Sequence, residues 1–234
     1  MSLFVPGSEF RVSGCRDAVC RFTIADCGLP IHDSRLINMK LIFATNNQHK
    51  VEEIQAAIGQ HLEVIPLKQA GIDIDIPEPH DTLEANASEK SRTIHQLTGL
   101  SCFSEDTGLE VEALNGEPGV KSARYAGEDK AFDKNIEKLM TKLGNLENRK
   151  ARFRTVISLI WEGKEWLFEG ICEGEITRSP SGAGGFGYDP VFKPTGSDRT
   201  FAEMTMAEKN KISHRKKAAD KLVLFLQNQV ITIR

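Results

Sequence analysis

Ser101-Cys102-Phe103-Ser104-Glu105-Asp106-Thr107-Gly108 is the stretch on which the reading of this chain turns. Leu100 to Phe103 reads as a short buried strand that runs into two adjacent carboxylates and stops at a glycine. In α/β proteins the carboxyl ends of strands are where ligands sit, so Glu105 and Asp106 stand where chemistry is usual. Neighbouring carboxylates repel, and keeping both ionised calls for a cation beside them. A hard divalent ion with oxygen ligands is the usual solution. An ordinary Asp-Thr-Gly turn reads equally well from these residues alone.

On the amino-terminal side, Lys40 to Thr45 is a near-continuous apolar run, as in a strand buried on both faces. Asn46 and Asn47 make a turn, and Gln48 to Ile58 has helical spacing with Val51, Ile54 and Ile58 on one face. Gly59 is placed to end that helix. Leu62 to Pro66 is a strand, and Gly71 to His80, with Pro77 and Pro79, is a loop. A helix is expected from Asp81 to Leu97, with Asp81 and Glu84 at the spacing of a capping box.

On the carboxyl-terminal side, Leu109 to Leu114 reads as a short strand or helical turn, and Asn115 to Gly119 as a loop. Lys130 to Leu143 is helical. Ala151 to Trp161 and Glu165 to Ile176 alternate around Gly163 and Lys164, as in an antiparallel hairpin. Ser179 to Pro190 is glycine-rich. A last long helix is expected from Thr205 to Gln227, its first half crowded with charge. Residues 1–38 carry three of the five cysteines and no sustained period. They read as a start-site or cloning artefact, or else as a poorly ordered arm, ahead of one domain over 39–234.

Composition limits the function classes. With 234 residues, 40% hydrophobic and 27% charged, the chain suits a soluble globular protein. A net charge of −3 gives no support to nucleic-acid binding, and no apolar run approaches a membrane span. Five cysteines fit no common zinc spacing and read as free thiols of a reducing, cytoplasmic compartment.

Three further stretches carry chemistry. Thr45 to Lys50 is a strand, a polar turn and a helix start, where backbone N–H groups attract phosphate. It lacks the glycines of a Walker loop, and a plain Asn-Asn turn is the commoner meaning of this stretch taken alone. Glycines 182 to 187 let backbone approach a ligand around Phe186, and a base stacked on Phe186 or Tyr188 is worth roughly 1–3 kcal/mol. Ser213-His214-Arg215 offers donors to base carbonyls, although a solvated basic face is the commoner meaning of such a run.

Read together and in order, these pieces resemble the inosine/xanthosine triphosphate pyrophosphatase family, hydrolases of non-canonical purine nucleotides. They are Thr45-x-Asn47-x-x-Lys50, Glu84-x-Asn86-Ala87 with Lys90, Ser104-Glu105-Asp106-Thr107-Gly108 and Ser122-Ala-Arg-Tyr-Ala-Gly127. Gly184-Gly-Phe-Gly-Tyr-Asp-Pro190 and Glu208-Lys209-x-x-x-Ser213-His214-Arg215 complete the set. The resemblance covers about Met39 to Leu226. It implies an elongated, two-lobed α/β fold with a twisted mixed sheet flanked by helices and a nucleotide cleft between the lobes. It implies Mg²⁺-dependent cleavage of the triphosphate to a monophosphate and pyrophosphate, and a homodimer.

By motif position, Thr45, Asn47, Lys50 and Lys209 would hold phosphates, and Lys90 would sit near the reacting phosphates. Glu84, Glu105 and Asp106 would hold Mg²⁺, and Asp106 would be the general base. Phe186 would stack on the purine, with Thr107, Gly187, Tyr188, Asp189, Ser213, His214 and Arg215 completing the substrate site. Arg215 would donate to the carbonyl of a 6-oxo purine, where adenine offers another donor. The common family pattern has Asp-Asp where this chain has Glu105-Asp106, and it does not foresee the leader. A nucleotide sensor would not need the three carboxylates. A pyrophosphatase of modified pyrimidine nucleotides would differ at Phe186 and Ser213-His-Arg215.

Overall fold

The computed structural model describes residues 9–10, 20–21, 39–60 and 62–232. The leader, 1–38, lies almost wholly outside them. Within it β1 (Glu9–Phe10) and β2 (Cys20–Arg21) form a short antiparallel ladder. The rest follows as β3 (Lys40–Phe43), α1 (Gln48–Ile58), β4 (Glu63–Pro66), α2 (Leu83–Thr98), β5 (Cys102–Val111) and β6 (Pro118–Gly119). Then come α3 (Phe132–Leu143), β7 (Lys150–Trp161), β8 (Lys164–Ile176), β9 (Phe192–Pro194), α4 (Met206–Lys209) and α5 (His214–Thr232). No helix among the described residues is long and apolar enough to cross a membrane.

The main sheet is mixed, as expected. Its order is β4-β3-β5-β7-β8-β9, with β6 on the edge of β5. β4, β3 and β5 run parallel, and β5, β7, β8 and β9 are antiparallel. One core gathers Phe43, Ile54, Ile58, Phe103, Leu222 and Leu226 around α1 and α5. The other gathers Leu109, Val111, Leu139, Leu143, Phe153 and Phe192 around α3. These are the centres of two lobes, and β5 runs from one to the other.

β5 corrects the expectation of a strand that stops at Gly108. It pairs with β7 over its whole length, from Cys102 opposite Ile160 to Val111 opposite Ala151. Glu105 and Asp106 therefore sit in mid-strand. Gly108 is there because β6 crosses it: a Cβ would stand 2.7 Å from the Gly119 carbonyl oxygen. The other edge of β5 is a notch, since β3 pairs only as far as Phe103 and β6 joins only at Leu109.

Helix ends follow local chemistry. Asn47 caps α1, its side chain accepting from the Lys50 N–H, and Gly59 closes it. Thr82, not Asp81, caps α2, accepting from the Ala85 N–H. The expected helix from Thr205 to Gln227 is two helices. A Thr205–Glu208 capping box opens α4, and Ser213 Oγ accepts from the Lys216 N–H at the start of α5. The break lets Lys209, Ser213, His214 and Arg215 all be buried.

α5 lies on β8 at Gly170, where a Cβ would meet the His214 carbonyl oxygen at 2.0 Å and the Ala218 nitrogen at 2.5 Å. Both are backbone atoms, so the helix itself would have to move. Gly170→Ala is expected to destabilise the fold by about 3 kcal/mol, read as a fall in the urea midpoint at unchanged m value.

Candidate active site

Alternation along β5 decides where each carboxylate faces. Ser104 and Asp106 point to α2: Ser104 donates to the Ala87 carbonyl, and Asp106 accepts from Asn86 Nδ2 at 3.3 Å. Glu105 and Thr107 point to α5, where both meet Arg215. The adjacent pair is thus split by the sheet. The cations that neutralise it belong to the protein.

On the α5 side, Arg215 grips Glu105 in a fork, Nε to Oε2 at 2.8 Å and Nη2 to Oε1 at 2.9 Å. Its Nη1 is bonded to Glu53. Lys209 Nζ lies 2.6 Å from both Glu53 Oε1 and Asp189 Oδ2, and Asp189 accepts from the Phe186 N–H at 3.0 Å. Lys50 Nζ reaches Glu105 at 3.3 Å. Three cations and three anions make one chain through the interior. Burial would lift the Glu105 carboxyl, but Arg215 and Lys50 overcome it and hold the pKa at about 2.

On the α2 side, Lys90 Nζ stands 2.7 Å from Glu78 Oε1 and 3.3 Å from Asp106 Oδ1. Burial would lower the Lys90 pKa; Asp106 and Glu78 raise it instead, so the ammonium stays charged. Glu78 Oε2 also accepts from Arg124 Nη2 at 2.7 Å. Burial pushes the Asp106 carboxyl above the usual range, against the pull of Lys90 and Lys50.

A cavity of about 110 Å³ opens at the notch between the lobes. Asn47, Lys50, Asp106, Thr107, Phe186, Gly187, Tyr188, Asp189, Lys209, His214 and Arg215 line it, together with Glu78, Phe132 and Asn135, which were not singled out in the sequence. A larger groove of about 730 Å³ lies elsewhere, on β5, β7, β8 and β9. Its charges pair with one another, as Arg152 with Glu110 and Lys193 with Glu175, and it holds none of the carboxylates expected to be catalytic.

Some expected residues have other partners. Thr45, Lys90, Ser213, Glu84 and Glu105 are not among those lining the cavity. Thr45 Oγ1 accepts from the Asn47 N–H, and Glu84 is ion-paired with Arg154. Tyr188 donates its hydroxyl hydrogen to the Ser122 carbonyl at 3.0 Å. Phe186 is ringed by aromatic and cationic groups, with His49 stacked on it. Glu53 and Glu78 escaped the sequence reading because nothing local distinguishes them: one is a mid-helix Glu, the other a loop Glu between prolines.

His214 is buried and stacked on Phe153 at 4.6 Å, and its Nδ1 has no hydrogen-bond partner among the described residues. Burial first, then Arg215 and Lys209, hold its pKa well below the ordinary 6.5. The folded protein therefore keeps a neutral imidazole where the unfolded chain protonates. The stabilisation is full above about pH 6.5 and is lost as pH falls toward the folded value. Between pH 7 and 5.5 the wild type is expected to lose on the order of 1 kcal/mol more than His214→Phe, measured by urea unfolding at each pH.

The same fold recurs in known proteins, and relatives match along most of the chain. The profile of the Ham1 family matches residues 41–225. A dITP/XTP pyrophosphatase of Flavobacterium johnsoniae is 51% identical over 185 residues, covering 79% of this chain and 96% of that protein. One of Porphyromonas gingivalis is 51% identical over 188 residues, covering 80% and 97%. The structure of the Staphylococcus aureus Ham1 protein superposes with a TM-score of 0.74 at 41% identity, covering 81% of this chain and 99% of that one. A HAM1 protein from Coxiella burnetii gives 0.74 at 36% identity, with the same coverage. With a profile spanning both lobes and relatives matched along nearly their whole length, this chain belongs to the Ham1 family.

Proposed function

We infer that the protein hydrolyses non-canonical purine nucleoside triphosphates, ITP, dITP and XTP, to the monophosphate and pyrophosphate. The observation that carries this is one cavity whose lining brings together the carboxylates Asp106 and Glu78, the cations Lys50, Lys209 and Arg215, and Phe186. Relatives at about half identity bear the name of this activity.

Asp106 is the general base in this reading. Its buried carboxylate, positioned by Asn86 and Lys90, takes the proton of a water in line with the phosphorus. Lys50 and Lys209, with the N-terminus of α1, meet the phosphate charge. Phe186 stacks on the purine, and the neutral His214 and Arg215 face the base edge. Arg215 has little left to give: of its five N–H groups, one on Nη1 lacks a partner among the described residues.

Mg²⁺ belongs to the same reading, because the carboxylates in the wall are hard oxygen donors already arranged around a positive charge, that of Lys90. Asp106 and Glu78 would hold it. Glu105 does not suit the role, since the Arg215 fork occupies both its oxygens. Glu84 shares the α2 side with Asp106 but is tied to Arg154. When bound, the ion supplies neutralisation of the phosphoryl oxygens. A cytoplasmic homodimer completes the reading: the buried free thiols Cys102 and Cys172 suit a reducing compartment, and the family resemblance implies the dimer.

The test is pyrophosphate release from ITP, XTP, dGTP, dUTP and ATP with and without Mg²⁺. Metal-dependent release from ITP and XTP alone is expected. Turnover of dUTP instead would overturn the base assignment and leave the carboxylate site standing.

A further inference from the structure

The ring expected to carry the purine already has a partner. His49 stacks on Phe186 with centroids 5.1 Å apart and planes 13° from parallel. Phe132 meets Phe186 tilted at 50°, 6.1 Å away. Lys209 Nζ and Arg215 Cζ lie 5.5 and 5.6 Å over the ring, both fixed in buried ion pairs. His49 differs from these cations: it is exposed, and its imidazole makes no hydrogen bond among the described residues. The cavity, at about 110 Å³, is also small. Ligand pockets run to about 300–1,000 Å³; His49 itself is not among the residues that line this one and meets it through the Phe186 ring.

We propose that the His49 imidazole occupies the stacking position of the substrate's base on Phe186 and swings aside when the base enters. The proposal rests on the reading that Phe186 stacks the purine. His49 stands in the first turn of α1, so a change of side-chain rotamer alone can clear the ring without disturbing the capped backbone at Asn47. Breaking an aromatic pair weakens apparent affinity by about two- to tenfold. The penalty falls before any base is read, so it is the same for ITP, XTP and dITP. A ligand without a base does not meet it.

The experiment is calorimetric binding of inosine 5′-monophosphate and of inorganic tripolyphosphate to the wild type, His49→Ala and His49→Phe, with kcat and KM for ITP measured alongside. In His49→Ala, binding of the monophosphate is expected to tighten two- to tenfold and KM to fall in step, at unchanged kcat. The tripolyphosphate affinity stays the same, and His49→Phe, a better stacking partner, moves the monophosphate the other way. Equal or weaker monophosphate binding in His49→Ala would overturn the proposal, since the imidazole would then be a bystander or a wall of the site. If the wild type releases no pyrophosphate from ITP, the activity reading fails by itself, and the binding data still decide the role of His49.

Discussion

Asp106→Asn is expected to lower kcat for ITP by about 10²- to 10⁴-fold, the usual contribution of a positioned general base, with KM changed far less. The substitution keeps the shape of the side chain and removes its ability to take a proton. Asn86 and Lys90, which hold Asp106 at 3.3 Å each, keep polar partners: Asn86 still meets His80 and Lys90 still meets Glu78. The fold should therefore persist, and an unchanged urea midpoint would separate lost chemistry from lost structure. Pyrophosphate release under single-turnover conditions is the measurement. A kcat within a factor of ten of the wild type would remove Asp106 from the role of base.

Arg215→Ala should have its largest effect on stability. Residue 215 reads from sequence as a donor to the base, yet its guanidinium holds two buried carboxylates, Glu105 and Glu53. Removing one partner of a buried ion pair destabilises by about 3–5 kcal/mol, because charge is left uncompensated in the interior. For a protein of this size that lowers Tm by roughly 6–20 °C. Buried pairs are poorly screened, so the loss should persist in high salt. Arg215→Lys should recover only part of it, since an ammonium cannot make the fork to Glu105. A Tm shift below 2 °C would contradict the keystone role. The ratio of kcat/KM for ITP over ATP, taken on whatever folds, measures what the remaining Nη1 hydrogen adds to selectivity.

Much of the architecture is legible in local pattern. Gln48 to Ile58 declares itself through its apolar spacing, with Asn47 and Gly59 as ready-made caps. The β7–β8 hairpin follows from alternation around Gly163 and Lys164, although Lys164 is already the first residue of β8 and the turn is Glu162-Gly163. Elsewhere local signals compete. Gly108 reads as a strand terminator, but the backbone of Gly119 lies against it and the strand runs on to Val111. Asp81 has the spacing of a cap, but Thr82 provides the oxygen. The run from Glu208 to Arg215 reads as one charged helix face, and it is two capped helices with Lys209 and Arg215 turned inward and Lys211 left exposed.

The sequence by itself determined the mixed α/β class, most element positions, the family resemblance and the residue types of the site, because periodicity, caps and motif order are properties of neighbours along the chain. Only the tertiary structure decided which charge faces which. The pleat of β5 sends Glu105 to Arg215 and Asp106 to Lys90, and no spacing rule brings Glu53 to Lys209 across 156 residues or Glu78 to Arg124 across 46. The physical reason is burial. In water each of these charges would be satisfied by solvent, and nothing local would select its partner. Inside the protein, where leaving a charge unpaired costs several kcal/mol, the packing of α1, α2 and α5 on one strand selects it.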